Sequence, residues 1–330
     1  MYSDEYYLNQ LSYFLVFIPI FARKYTIMIT EELQKLYLAY TGVPAENITE
    51  LPSSGSNRRY FRLAGVQTLI GVYGTCIDEN EAFLYMAAHF RRCGLPIPEI
   101  HIVSEDKTYY LQEDLGDTLL FHAIEKGRAT SVFSEDEKEL LRKTIRLLPA
   151  IQFAGADGFD FSRCYPQPEF NQRSILWDLN YFKYCFLKAT GMEFQEDKLE
   201  DDFQKMSDVL LRSSSATFMY RDFQSRNVMI KDGEPWFIDF QGGRKGPFYY
   251  DIASFLWQAK ANILIVSVRN CCKNILKHSA NTNQLTNLIF IASFAILYFS
   301  VLCKCLEPMA FVATSKRSPT LSRVFLMLSG

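Results

Sequence analysis

Asp222 and Asn227, separated by four residues, and Asp239 lie in one short stretch, YRDFQSRNVMIKDGEPWFIDF, from Tyr220 to Phe240. A carboxylate can accept a hydroxyl proton, while a carboxamide and a second carboxylate are hard oxygen ligands of the kind Mg²⁺ prefers. Phosphoryl transfer asks for these parts: an oriented acceptor hydroxyl and a metal that neutralises the charge of a nucleoside triphosphate. The apolar runs VMI and WFIDF flank Asp232-Gly233, a pair that tolerates positive φ and predicts a tight hairpin. Such a hairpin folds Asp239 back toward the loop that carries Asp222 and Asn227.

Other elements must position this unit. Asp251 opens the apolar segment DIASFLWQA, where it can cap a helix. Upstream, LPSSGSNRRYFRLAG runs from small turn-forming residues into an alternating strand, Arg59 to Leu63, and VQTLIGVYG adds a second. The loop Ser53, Ser54, Gly55, Ser56 and Asn57 lets backbone N–H groups approach phosphate oxygens, or is an ordinary hairpin turn. ENEAFLYMAAHFRR reads as a helix stopped by Gly94 and Pro96, and IHIVS and TYYLQEDLG follow as strands. Helices are expected around 118–127 and 134–153. A further helix interleaves Trp177, Asp178, Tyr181 and Tyr184, a stripe that suits either core packing or a cleft for a polar small molecule.

The segment from Tyr220 to Phe240 resembles the catalytic core of the kinase-like phosphotransferases, the superfamily of aminoglycoside and choline kinases. Tyr220 stands in the His place of the H-R-D-x-x-x-x-N template, and Asp239-Phe240-Gln241 replaces D-F-G. The resemblance implies an α+β, two-lobed protein-kinase-like fold with a small β-rich N-lobe and a mainly helical C-lobe. It also implies ATP and Mg²⁺ as cofactors, Asp222 as catalytic base, Asn227 and Asp239 as metal ligands, and Arg221 and Asp251 in support. Glu113 and Leu115 would lie on the hinge that meets the adenine edge. The chain departs from the template at Leu69-Ile70-Gly71-Val72-Tyr73, where V-A-I-K would offer its phosphate-pairing Lys. Arg59 or Arg62 is the nearest replacement, with Glu81 as its partner on the helix. The strings SGSNRRYFRL, YYLQEDLGDTLL and YRDFQSRNVM further resemble the bacterial branch of anomeric N-acetylmuramate and N-acetylglucosamine kinases, over about residues 30 to 261. That likeness implies a sugar or amino-sugar hydroxyl as acceptor; an aminoglycoside is the alternative.

Composition bounds the rest. A 48% hydrophobic and 15% aromatic chain of 330 residues has material for a sizeable core. Through Asn262 there are 28 Lys and Arg against 36 Asp and Glu, an acidic body that argues against nucleic acid as partner. From Ile263 onward there are 7 basic residues against the single Glu307. The eight cysteines form no C-x-x-C pair, which suggests a reducing cytoplasm and thiols such as Cys76, Cys93, Cys164 and Cys185 in ordinary packing. These shifts predict an N-lobe over 28–114, a C-lobe over 115–262 and an anomalous tail over 263–330 that leaves the C-lobe incomplete. The tail reads as a product of a frameshift near Asn262, or as a membrane segment at 288–303, a little short of the ~20 residues a bilayer asks for. In that second case the chain is a non-catalytic relative; a further alternative is a catalytically dead protein, through an unstable truncated C-lobe or a strand Lys that was never replaced. Residues 1–27 read as an upstream extension, with Met28 the natural start and Thr30 capping a helix that Gly42 ends.

Overall fold

The structure is a computed structural model, and it describes residues 25–52, 58–211 and 217–256. The loop Ser54, Gly55, Ser56 and Asn57 and the whole tail from 263 fall outside these residues, as does the apolar run 288–303. The chain divides into two compact units, one of residues 1–88 and 98–115, the other of residues 89–97 and 116–330.

The first unit is built on a five-stranded antiparallel sheet in the order β1-β2-β3-β5-β4. Its strands are β1 (Asn47–Glu50), β2 (Arg59–Ala64), β3 (Leu69–Tyr73), β4 (Ile100–Val103) and β5 (Tyr109–Glu113). Helix α1 (residues 25–41) lays Ile29, Leu33 and Tyr37, one residue per turn, onto Phe61, Leu63, Leu69 and Leu111. The chain is already helical at residue 25, the first described, so Thr30 is not the helix cap. Thr30 is already inside, and its hydroxyl donates to the Ile27 carbonyl at 2.9 Å. Tyr40 is exposed and stacks on His101. Gly42 follows at φ +79°, as a helix terminator should. Helix α2 (Ile77–Arg92) comes next in the chain. Four of the five β3 residues are buried, which leaves that strand no room for a cation.

The second unit is mainly helical. Helices α3 (Leu120–Ala123), α4 (Glu125–Thr130) and α5 (Glu135–Phe153) open it. The Ser134 and Glu137 side chains close a capping box at the start of α5. Then come α6 (Gln172–Phe182), which runs into a wider turn at Lys183–Lys188, and α7 (Glu196–Leu211). Short strands β6 (Thr217–Met219) and β9 (Arg244–Gly246) pair, as do β7 (Val228–Lys231) and β8 (Glu234–Phe237). Helix α8 (Tyr249–Leu256) closes the described part. A buried aromatic cluster of Phe90, Phe159, Phe218 and Phe240 supports β6 and the segment after β8. Among the described residues no helix is long and apolar enough to cross a membrane.

Candidate active site

The β7–β8 turn adopts the predicted conformation, with Asp232 at φ +53° and Gly233 at +77°. Two hydrogen bonds then draw the three polar residues together. The Asn227 amide nitrogen donates to the Asp222 carbonyl at 2.8 Å, and the Ile238 N–H donates to the Asn227 carbonyl at 3.1 Å. Asp239, the next residue, thus leaves the hairpin beside the loop that carries Asp222. With its NH₂ committed to Asp222, the Asn227 side chain turns its oxygen the other way. Asp239 has φ +66°, and its Oδ1 accepts from Gln241 Nε2 at 2.7 Å. Asn227 and Asp239 offer oxygen donors only, which fits a hard cation such as Mg²⁺.

Asp251 is fully buried in the first turns of α8, which begins at Tyr249, so it is a brace and not the helix cap. Its Oδ2 accepts from the Tyr220 N–H at 2.9 Å and from Gln152 Nε2 at 2.8 Å; its Oδ1 accepts from the Arg221 N–H at 2.8 Å. Burial pushes this carboxyl up to about 7, against the pull of those three donors. Tyr220 is buried too and donates its hydroxyl to the Ile238 carbonyl, which links the start of the loop carrying Asp222 to the residue before Asp239.

Arg221 takes φ +74° and sends its guanidinium to Asp178 on α6, 3.6 Å away. Asp178 is therefore buried against the loop, whereas Trp177 and Tyr184, expected with it on one stripe, stand 49% and 57% exposed. A helix holding both kinds of face cannot be a simple core stripe. Arg244, 1% exposed, donates through Nε and Nη2 to the Gly242 carbonyl, both at 3.1 Å, and through Nη1 to the Ser174 hydroxyl at 3.4 Å. Burial first, and the nearby Arg221 second, lower its pKa to about 10. Neither Arg244 nor Gly242 was singled out from sequence; a glycine pair ahead of an arginine carries no signal until the turn is folded.

In the first unit the expected cation pairs are corrected. Arg59 forks onto Glu50, with both bonds at 2.7 Å, and Arg62 forks onto Asp114 at 2.7 and 3.1 Å. Glu81, expected opposite one of these arginines, pairs with Lys107 of the β4–β5 turn. Arg58, 3% exposed, also reaches α2: it meets the Glu79 carboxylate at 3.4 Å and carbonyl at 3.2 Å and lies over the Phe83 ring. Strand parity separates Arg58 from Arg59: Arg59, Phe61 and Leu63 face α1, and Arg58 lies on the opposite side with Arg62. Glu113 ends β5, and its N–H donates to the Glu99 carbonyl at 2.8 Å. Leu115 is buried at the boundary between the units. Asp114, bound to Arg62, does not cap a helix.

This fold recurs in known phosphotransferases. The GDP complex of aminoglycoside 2′-phosphotransferase-IIIa superposes with a TM-score of 0.54 at 12% identity, covering 86% of this chain and 93% of that one. Plasmodium vivax ethanolamine kinase gives 0.54 at 13% identity over 82% and 78%. The architecture is thus the α+β fold of protein-kinase-like phosphotransferases. The chain belongs to the phosphotransferase enzyme family, whose model matches residues 47–265. It is similar to the N-acetylmuramate/N-acetylglucosamine kinase of Neisseria meningitidis serogroup B, 27% identical over 223 residues, 64% of this chain and 62% of the relative. The kinase of the same name from Pseudomonas aeruginosa is 25% identical over 228 residues, 67% and 63% of the two chains. The chain therefore spans just under two thirds of the length of these relatives.

Proposed function

We propose that the protein transfers the γ-phosphoryl group of ATP to a hydroxyl of a small sugar or amino sugar. The observation that carries this reading is the pair of hydrogen bonds that ties Asp222 to Asn227 and Asn227 to the residue before Asp239. Asp222, held on a loop whose backbone is fixed by Asp251, accepts the proton of the acceptor hydroxyl and aims its oxygen at phosphorus. Asn227 and Asp239 hold Mg²⁺, which when bound offsets the negative charge of the triphosphate. Residues 53–57 and Arg58 serve the phosphates, and Glu113 and Leu115 the adenine edge. Similarity to two sugar kinases supports a sugar acceptor over an aminoglycoside.

Purified protein incubated with Mg-ATP and a panel of N-acetylglucosamine, N-acetylmuramate and aminoglycosides should form ADP and a phosphorylated sugar. Asp222→Asn should lower kcat by at least ~100-fold, the low end of general-base effects. Turnover that survives this substitution would remove Asp222 from the role.

A further inference from the structure

The turn after Asp239 passes beside the Asp222 carboxylate. A Cβ placed on Gly242 would lie 3.4 Å from Asp222 Oδ2 and 3.9 Å from Arg221 Cδ, so a side chain there would be the first atom to meet that oxygen from this turn. Gly242 has no left-handed φ, and 3.4 Å is ordinary van der Waals contact, so the fold itself does not demand a glycine there. Its neighbour is different: a Cβ on Gly243 would meet the buried Phe218 ring at 2.1 Å. Gly242 and Asp222 are both partly open to solvent, while Arg244, which grips the Gly242 carbonyl with two bonds, is sealed from it. Arg244 in turn rests on Ser174 of α6, the helix whose Asp178 holds Arg221. One chain of polar contacts thus runs from α6 through Arg244 to the glycine beside the proposed base.

We infer that Gly242 is a specificity-determining residue of the acceptor site, kept without a side chain so that the acceptor's hydroxyl-bearing carbon can reach Asp222 Oδ2, with Arg244 as the positioning residue that holds it there. A hydroxyl bound to a carboxylate sits about 2.5–2.7 Å from the oxygen, and the carbon bearing it must then fall in the shell that a methyl at 3.4 Å would occupy. A primary or anomeric hydroxyl on a ring needs that room. This inference rests on the reading of Asp222 as the base.

The test is steady-state kinetics of Gly242→Ala with N-acetylglucosamine and with N-acetylmuramate as acceptors, alongside thermal unfolding. The acceptor KM should rise ~10-fold or more, as a displacement near 1 Å at a reacting centre commonly does, while the ATP KM stays within twofold. Arg244→Lys, which keeps the charge and loses the fork, should raise the acceptor KM in the same direction and provides a second route should Gly242→Ala not accumulate. An acceptor KM within twofold of wild type in both variants overturns the inference while leaving Asp222 in place. A wild-type protein that phosphorylates neither sugar removes the parent reading, and the inference falls with it.

Discussion

Asp251→Asn joins the ionisation of one buried carboxyl to the geometry of the catalytic loop. The carboxyl sits at about 7 because burial penalises its charged form more than three donors favour it, against 3.8 for a free group. Between 3.8 and about 7 the folded chain therefore holds a proton that the unfolded chain releases. Stability from this group is full below the unfolded value and is lost as pH rises through the folded one. At about 1.4 kcal/mol per tenfold, the loss is on the order of 4 kcal/mol, a large share of the ~5–15 kcal/mol typical of a domain. Asparagine abolishes the titration but trades one acceptor for a donor. With its oxygen toward Tyr220 N and Gln152 Nε2, its NH₂ faces the Arg221 N–H, now without an acceptor, at a cost of about 1–3 kcal/mol. The variant should thus be less stable than wild type near pH 4, where little of the wild type's stability has yet been lost, and more stable by about 1–3 kcal/mol near pH 8. Urea unfolding at constant ionic strength, followed by tryptophan fluorescence, measures the gap at both. A gap that stays within ~0.5 kcal/mol across that range would mean Asp251 does not titrate there, and the reasoning fails.

Two further perturbations separate packing from chemistry. Gly243→Ala drives a methyl into Phe218, which is enclosed by Phe90 and Phe159, and should cost about 1–3 kcal/mol in urea unfolding, the usual price of overpacking; an unchanged midpoint would show that the ring can move. Arg58→Gln should raise the ATP KM ~10-fold or more while the acceptor KM holds, since a buried cation tied to α2 directly follows the proposed phosphate loop. A lower melting temperature with both KM values unmoved would make Arg58 a structural clamp only.

Much of this was legible in the chain itself, for local reasons. Asp232-Gly233 specifies its own turn, Gly94 at φ +72° ends α2 where the sequence places the stop, and alternation marks β2. The parts that were not legible depend on partners distant in sequence. Thr30 looks like a cap because Ser, Thr, Asp and Asn favour that position, yet nothing nearby says that the helix has already begun at residue 25. Strand β1 is four residues long with little burial, too short for a pattern, and exists because Asn47 to Glu50 pair with β2. The choice of Arg58 over Arg59 and Arg62 needs to know which acid lies across each face: Glu79, Glu50 and Asp114 are 21, 9 and 52 residues away.

The least legible feature is backbone strain, and two of the five described non-glycine residues with positive φ fall at the proposed site. Arg221 and Asp239 both occupy the left-handed region at φ +74° and +66°, where a side chain costs roughly 1–2 kcal/mol, and neither is a residue type whose sequence context announces it. Each is held by more than one constraint. Arg221 is pinned at its N–H by Asp251 and at its guanidinium by Asp178. Asp239 follows Ile238, whose N–H and carbonyl are taken by Asn227 and Tyr220, and its own carboxylate is taken by Gln241. Relaxing either residue to an ordinary φ would break at least one of these bonds and turn the peptide that precedes Asp222 or carries Asp239. The strain is therefore the consequence of presenting the proposed base and the proposed metal ligand from adjacent turns at the same time. Asp251 and the hairpin, which hold that arrangement, belong to the proposed site as much as the residues assigned to meet substrate.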